Sequence, residues 1–334
     1  MPTLYVVEQG AKIQKDHRRL VVSKEGEILQ SIPLIKLEQV YLLGNISITT
    51  PALGWLMDNN IDVVFCNRYG RYRGRVIGQS SGHSKLRRLQ YRRVDNALFA
   101  MNTARAIVQA KLRNSRALLM RYQRNLHRPA LQNAIERLAN LMERADRVQT
   151  LNSLRGVEGI AAAVYFEAFP HLFKREGWQF PRRVRRPPTD PVNVLLSFGY
   201  TLLTRQLESA VEMVGLDPYL GCLHADSYNR PSMALDLTEE FRSIVVDSVV
   251  LRCLNSDLIT PANFTAQSDP ERPVLLDEAG RNRFLREFEA RLAVEFTHPA
   301  IGERVTYRRC FELQAREMAR AIQSDGLYQP FTVR

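Results

Sequence analysis

The sequence predicts an α+β protein in which a small N-terminal β-strand domain is joined by a linker to a larger all-α domain. Three observations predict it. Over the first eighty residues the apolar side chains come in short runs separated by Gly and Asn, whereas from Lys85 onward they recur at spacings that suit helical faces. Between the two regimes lies Gly78-Gln-Ser-Ser-Gly82-His83-Ser84, rich in turn formers and without an apolar residue. At 334 residues, the chain is long enough for two domains with a core each. The expected boundaries are 1–78 for the β domain, 79–90 for the linker and 91–334 for the helical domain.

The strands expected in order are Leu4–Val7, Leu20–Val22, Ile28–Ile32, Gln39–Leu43, Ile61–Phe65 and Tyr72–Ile77. One short helix, Ala52–Asp58, interrupts them, because Thr50-Pro51 reads as an N-cap followed by Pro at the first helical position. Beyond the linker, helices are expected over 84–125, 130–147, 152–169, 191–214, 232–254, 280–296 and 304–324, separated by loops such as Arg185-Arg-Pro-Pro-Thr-Asp-Pro191. There is no internal repeat and no low-complexity tract.

Forty-seven Lys and Arg against thirty-five Asp and Glu give a formal charge of +12, so a polyanion is the expected partner. The excess is concentrated. Residues 81–130 hold twelve basic side chains, Lys85, Arg88, Arg92 and Lys111 among them, against the single acid Asp95. A second cluster comprises Lys174, Arg175, Arg182, Arg183, Arg185 and Arg186. Such runs suit phosphate contacts; a merely solvated face would mix its signs. Four cysteines at 66, 222, 253 and 310 include no Cys-x-x-Cys pair and are too sparse for a disulfide framework. With no signal core and no apolar run of membrane-spanning length, the expectation is a soluble cytoplasmic protein that avoids the membrane.

Two constellations carry chemistry. In Asn152-Ser-Leu-Arg-Gly-Val-Glu158-Gly-Ile-Ala-Ala-Ala-Val-Tyr165, one acid lies in the apolar register of a helix, where a carboxylate needs a partner. An ion pair with Arg155, three residues earlier, would satisfy it. The second runs from Gly221-Cys-Leu-His224 into Pro231-Ser-Met-Ala-Leu-Asp236-Leu-Thr-Glu239-Glu240-Phe-Arg242. Asp236 and Glu239 fall on neighbouring rows of one helical face and would repel unless a cation lay between them. The plain alternative is an exposed acidic face, with Glu239 and Glu240 solvated or paired with Arg242. Taken together, the carboxylates and one imidazole suit Mg²⁺ or Mn²⁺, and zinc would fit a His and two carboxylates as well. Such a cation polarises a phosphodiester and activates an attacking hydroxyl.

At these residues the chain resembles the CRISPR-associated endonuclease/integrase family, the first Cas protein of the spacer-acquisition machinery. The resemblance rests on Leu154-Arg-Gly-Val-Glu158-Gly-Ile-Ala-Ala, on Arg186-Pro-Pro-Thr-Asp-Pro-Val-Asn193-Val-Leu-Leu-Ser-Phe-Gly-Tyr200, on Gly221-Cys-Leu-His224 and on Ser232-Met-Ala-Leu-Asp236-Leu-Thr-Glu239-Glu-Phe-Arg242, in that order, and extends over essentially the whole chain. It implies catalytic metal ligands at Glu158, His224 and Glu239, with Asp236 as a further candidate ligand and Mg²⁺ or Mn²⁺ as the cofactor. Ser243 departs from the family's frequent Phe-Arg-Pro, which should affect only the course of that helix. Asn193 and Tyr165 match positions near the site, where they would orient a ligand, contact DNA or simply pack. Lys85, Arg88, Arg92, Arg182, Arg183, Arg185 and Arg186 become candidate DNA contacts.

The implied reaction is attack by the 3′-hydroxyl of a captured DNA fragment on a phosphodiester at the edge of a CRISPR repeat, together with cleavage of branched DNA. The implied partners are DNA, the small second CRISPR adaptation protein and a second copy of this chain, paired through the β domain. Two other readings stay open on the residues alone: a metal-dependent branched-DNA or repair nuclease without an integration role, and a non-catalytic DNA-binding scaffold.

Overall fold

The computed structural model describes residues 3–68, 70, 72–76, 78, 83–225, 227–324 and 326–333. The chain divides into two compact units, 1–81 and 82–334.

In the first unit, β1 (Thr3–Val6), β5 (Gln39–Leu43) and β7 (Asp62–Cys66) run parallel, and β8 (Tyr72–Val76) lies antiparallel beside β7. A second four-stranded sheet is a meander of β2 (Lys12–Asp16), β3 (Arg19–Lys24) and β4 (Glu27–Pro33), with β6 (Ser47–Ile48) parallel to β2. Strands β2 and β6 go beyond the sequence reading. The pattern of β2 is Lys-Ile-Gln-Lys-Asp, in which only Ile13 is buried, so its pairing with β3 rather than its own apolar content makes it a strand. Helix α1 (Thr50–Asp58) starts two residues before the expected Ala52, because Thr49 rather than Thr50 caps it by accepting from the Ala52 amide. Its Ala52 and Leu56 join Leu4, Ile13, Leu20, Val40, Leu42 and Val63 in the core of the unit.

The second unit is helical. Of the linker expected over 79–90, residues 79–82 lie outside the described residues, and from Ser84 the chain is already α2 (Ser84–Val94). This is a docked segment: the buried Gln90 amide donates to the Asp217 and Leu220 carbonyls, and Arg87 to that of Gly215. The single helix expected over 84–125 is two, because Asn96 accepts from the amides of Leu98 and Phe99 and so starts α3 (Ala97–Leu126) afresh. Helices α4 (Pro129–Arg147), α5 (Leu151–Ala168) and α6 (Pro191–Val214) follow. Asp190 caps α6, and Gly215, at φ +94°, ends it.

The helix expected over 232–254 is α7 (Ser232–Phe241), a π-helical turn over Arg242–Asp247 that holds Ser243, and α8 (Ser248–Asn255). Helices α9 (Glu278–Leu292) and α10 (Tyr307–Ser324) complete the unit, α9 ending at Leu292 rather than 296. Two ribbons that the sequence reading lacked are β9 (Phe264–Ala266) with β10 (Val274–Leu276), and β11 (Glu295–Thr297) with β12 (Arg304–Thr306). At three residues per strand they are too short to show an alternating pattern. The long α3 packs against α4, α5 and α7, which brings side chains of α3, α5 and α7 to one place. No helix of the described residues is long and apolar enough to cross a membrane.

Candidate active site and metal centre

Glu158 lies on α5 at the margin of its buried face, between the buried Val157 and Ala161. Its partner is not Arg155 but Lys111 of α3, whose ammonium pairs with Glu158 Oε1 and lies 2.6 Å from Glu239 Oε2 on α7. Arg155 turns away, donating to the Leu223 carbonyl at 2.7 Å and to the Asn152 side chain at 3.1 Å. The side chains of Glu158, His224 and Lys111 stay 23%, 19% and 12% exposed, so water and small ions can reach them.

His224 reaches this place on a loop that a glycine and a carboxylate hold down. A Cβ on Gly221 would stand 2.8 Å from the Ser232 carbonyl oxygen and 2.7 Å from Asp236 Oδ2, so only glycine lets the loop lie against the start of α7. Asp236, fully buried, then accepts from the amides of Cys222 (2.6 Å), Leu223 (2.9 Å) and His224 (2.9 Å) and from His224 Nδ1 (2.7 Å). Four donors occupy both of its oxygens. With both oxygens so engaged, Asp236 anchors the imidazole through Nδ1 rather than standing open to a cation as the resemblance implied, and it turns Nε2 toward Glu239. Nε2 stands 3.6 Å from Glu239 Oε1. What separates Asp236 from Glu239 is therefore the His224 ring rather than a cation.

Glu239 is not on a solvated face. Its side chain is 4% exposed, with Arg242 Nε 3.0 Å from Oε1 and Lys111 on Oε2. Burial opposes its charge, yet the Arg242 guanidinium and the Lys111 ammonium hold the carboxyl well below the usual carboxylate range. Glu240, the next residue, points elsewhere. It accepts from Tyr328, Gln314 and the Phe331 amide, which pins the C-terminal segment, and burial pushes its carboxyl up to about 8 against those hydrogen bonds.

Behind Arg242 lies a network that the sequence reading missed. The guanidinium stacks on Tyr200, 4.6 Å from the ring centroid, and the hydroxyls of Tyr200 and Tyr165 donate to Asp247 at 2.6 and 2.7 Å. Burial pushes Asp247 up to about 6, against the two phenols and the charges of Arg242 and Arg183. Tyr165 is buried and spent in this network, so it is no DNA contact. Nor is Asn193, which is fully buried: it donates to the Arg182 carbonyl and Asp190 and accepts from the Val184 amide, latching the 182–190 loop onto α6. Arg183 belongs to the same latch, donating to Asn193 and Ser197. That removes it from the DNA candidates.

Arg182, Arg185 and Arg186 are exposed, as are Lys85, Arg88 and Arg92. The basic stretch 81–130 is not one uniform face, however. Arg105 donates to the Ala145 and Val148 carbonyls, Arg116 to that of Ile135 and Arg128 to that of His171. Lys111 is one of these charges, yet it lies in register with the buried Ile107, Val108 and Ser115, the signal that singles it out. Asp247, an acid within the apolar run Ile244 to Val250, carried the same signal that marked Glu158.

Two carboxylates and an imidazole nitrogen thus converge from α5, α7 and the 221–224 loop. Among the described residues, no three His, Cys, Asp or Glu side chains are already drawn together as metal ligands. The Lys111 ammonium sits between Glu158 and Glu239. The donor set still fits a divalent cation. The gap already holds a positive group, its oxygens suit Mg²⁺ or Mn²⁺, and an imidazole nitrogen, His224 Nε2, stands beside Glu239. A groove is bordered by Lys111, Ala161, Tyr165, Arg185, Arg242 and Asp247.

The model of the family described as CRISPR associated protein Cas1 matches residues 4–290. The chain is 36% identical to a CRISPR-associated endonuclease Cas1 of Thermus thermophilus over 99% of this chain and 97% of that protein. It is 39% identical to a Cas4 exonuclease/Cas1 endonuclease fusion of Rhodospirillum rubrum over 96% of this chain, and spans 56% of that fusion. Among solved structures, it superposes with a TM-score of 0.84 on a chain of a Cas6-RT-Cas1–Cas2 complex, at 28% identity, covering 99% of this chain and 36% of that one. A Cas1 protein from Thermotoga maritima, at 23% identity and 99% coverage of both chains, shares the fold with a TM-score of 0.82. Sequence and fold agree, and the chain belongs to the CRISPR-associated Cas1 family.

Proposed function

We propose that this protein is a divalent-metal-dependent DNA endonuclease and integrase of CRISPR adaptation, joining the 3′-hydroxyl of a captured fragment to a phosphodiester at the edge of a repeat. The observation that carries the reading is the pairing of Glu158 and Glu239 across one cationic position, with His224 Nε2 3.6 Å from the other oxygen of Glu239 and a groove bordered by arginines beside them. Its relatives named as endonucleases supply the reaction class.

Glu158, Glu239 and His224 Nε2 would hold Mg²⁺ or Mn²⁺. When bound, such a cation stabilises the charge that builds on a phosphodiester under attack and lowers the pKa of a hydroxyl or water. The chain's own residues do the rest. Asp236 keeps the His224 proton on Nδ1, and Arg155 holds the loop through the Leu223 carbonyl. Arg242, clamped between Glu239 and the Tyr200 ring, fixes the carboxylate's direction and adds positive charge where a phosphate would approach. Exposed Arg185 at the groove and Lys85, Arg88 and Arg92 on α2 hold the DNA backbone through sequence-independent contacts.

We further propose the family's assembly: a homodimer through the β unit, and the small second adaptation protein as partner. The apolar Ile28 and Leu29 of β4 and Ile35 beyond it are exposed, which suits pairing with a second copy. The structural relative at 28% identity comes from a complex that contains Cas2.

The test is transfer of a short duplex with free 3′ ends into a supercoiled plasmid bearing a repeat, with the small partner present, with Mn²⁺ or with EDTA, and with His224→Ala as control. Joining that needs Mn²⁺ and disappears in the variant is the expected result. Cleavage without joining would assign the same site to a branched-DNA or repair nuclease instead.

A further inference from the structure

Lys111 is placed in a way that a simple structural ion pair does not require. It projects from the middle of the thirty-residue α3, whose flanking Ile107, Val108, Leu112 and Ser115 are buried, so its stem starts from a rigid base. Its ammonium is shared by two carboxylates on two different helices, Glu158 and Glu239, while His224 Nε2 stands 3.6 Å from the other oxygen of Glu239. Arg242 stands on the other oxygen of Glu239. Around this gap, two carboxylates meet one ammonium and one guanidinium, so their formal charges cancel. The charge of Asp236 is taken up by three backbone amides and the imidazole.

We propose that Lys111 is the resident counter-ion of this site: it holds the place between Glu158 and Glu239 while no divalent cation is bound, and its displacement couples cation binding to the arrival of a DNA phosphate. The inference rests on the metal-site reading above and goes beyond it. A divalent cation entering a gap that is already neutral leaves two uncompensated positive charges within a few ångströms, a repulsion that water screens only in part. The lysine stem is flexible and its ammonium is a compact, strongly hydrated charge, so it can swing out. The groove it borders also carries Arg185 and Arg242, and a backbone phosphate there would give the displaced ammonium a new partner. Reciprocity then requires that DNA tighten cation binding and that the cation tighten DNA binding by the same factor.

Binding of Mn²⁺, followed by the electron paramagnetic resonance signal of the free ion, tests this with wild type, Lys111→Met, Lys111→Gln and Lys111→Arg, each with and without a short duplex bearing free 3′ ends. Without DNA, Lys111→Met and Lys111→Gln should bind Mn²⁺ about tenfold or more tightly than wild type, the scale of one unit charge at contact distance after screening. Mn²⁺ should also raise their melting temperatures more. Lys111→Arg, which keeps the charge, should stay within about threefold of wild type. DNA should tighten binding by wild type and do so less for the uncharged variants. Affinity in folded Lys111→Met equal to or weaker than wild type, or the same DNA effect in both, overturns the proposal. Should both uncharged variants fail to fold, absence of DNA-induced tightening in wild type overturns it alone. Glu158→Gln and His224→Ala separate the two readings: wild-type binding that these variants leave unchanged, or no binding by any protein, removes the metal site and the inference with it.

Discussion

Replacing Asp236 with Asn tests whether this residue acts through His224 rather than on a cation directly. The carboxylate accepts four hydrogen bonds, two on each oxygen, at 2.6–2.9 Å. An amide offers one oxygen and one NH₂, so two of the four donors lose their acceptor. If the NH₂ faced the Cys222 and Leu223 amides, two buried backbone donors would be left unpaired, at about 1–3 kcal/mol each. If it faced His224, only the His224 amide would be lost, because the imidazole can move its proton to Nε2 and accept on Nδ1. The second orientation is therefore favoured, and the protein should lose about 1–3 kcal/mol of stability. The chemical consequence is larger. A proton on Nε2 removes the lone pair that points toward Glu239, and with it a metal ligand. Mn²⁺ affinity should fall at least about ten- to hundredfold, the usual effect of losing the group that orients a ligating histidine, and strand transfer should fall with it. Imidazole ¹⁵N shifts report the tautomer, calorimetry the affinity and urea unfolding the stability. A variant that keeps its proton on Nδ1 and its full Mn²⁺ affinity would refute the reasoning.

Glu158→Gln, His224→Ala and Glu239→Gln should each abolish Mn²⁺-dependent strand transfer while DNA retention in a filter assay survives; persistent cleavage in the triple variant would remove these residues from the reaction. Charge reversal at the exposed Arg88 and Arg92 should weaken DNA binding and flatten the dependence of log affinity on log salt; an unchanged slope would return them to a solvated face. Burial raises Glu240 from the ordinary 4.5 to about 8, so between those values the folded chain keeps a proton that the unfolded chain has released. Stability should therefore fall as pH rises through that window, by up to about 1.4 kcal/mol per unit. Urea midpoints at pH 6.5, 7.25 and 8 should show this in wild type and a flatter profile in Glu240→Gln; equal profiles would mean that Glu240 is already ionised in the fold.

Much of this was legible along the chain. The change of apolar period near residue 84 separated a β-rich part from a helical one, because strands and helices bury every second residue or every third and fourth. Glu158 stood out as a carboxylate in an apolar register, and Glu239 and His224 through the motifs around them. Tertiary structure decided what those side chains face. Asp236 and Glu239 share a helical face by spacing, yet a glycine-hugging loop turns one of them into the anchor of a histidine and leaves the other to Lys111 and Arg242. Arg155 is the nearest cation to Glu158 in the chain, but the cation that meets it comes from α3, forty-seven residues away. Likewise Asn193 and Tyr165, which the motifs placed near the site, and Arg183, a charge of the second basic cluster, are held by partners on other segments. Periodicity reports which face of an element is buried, and that much belongs to the sequence. Which charge lies across from which depends on how three helices and a loop pack, and only the folded chain decides it.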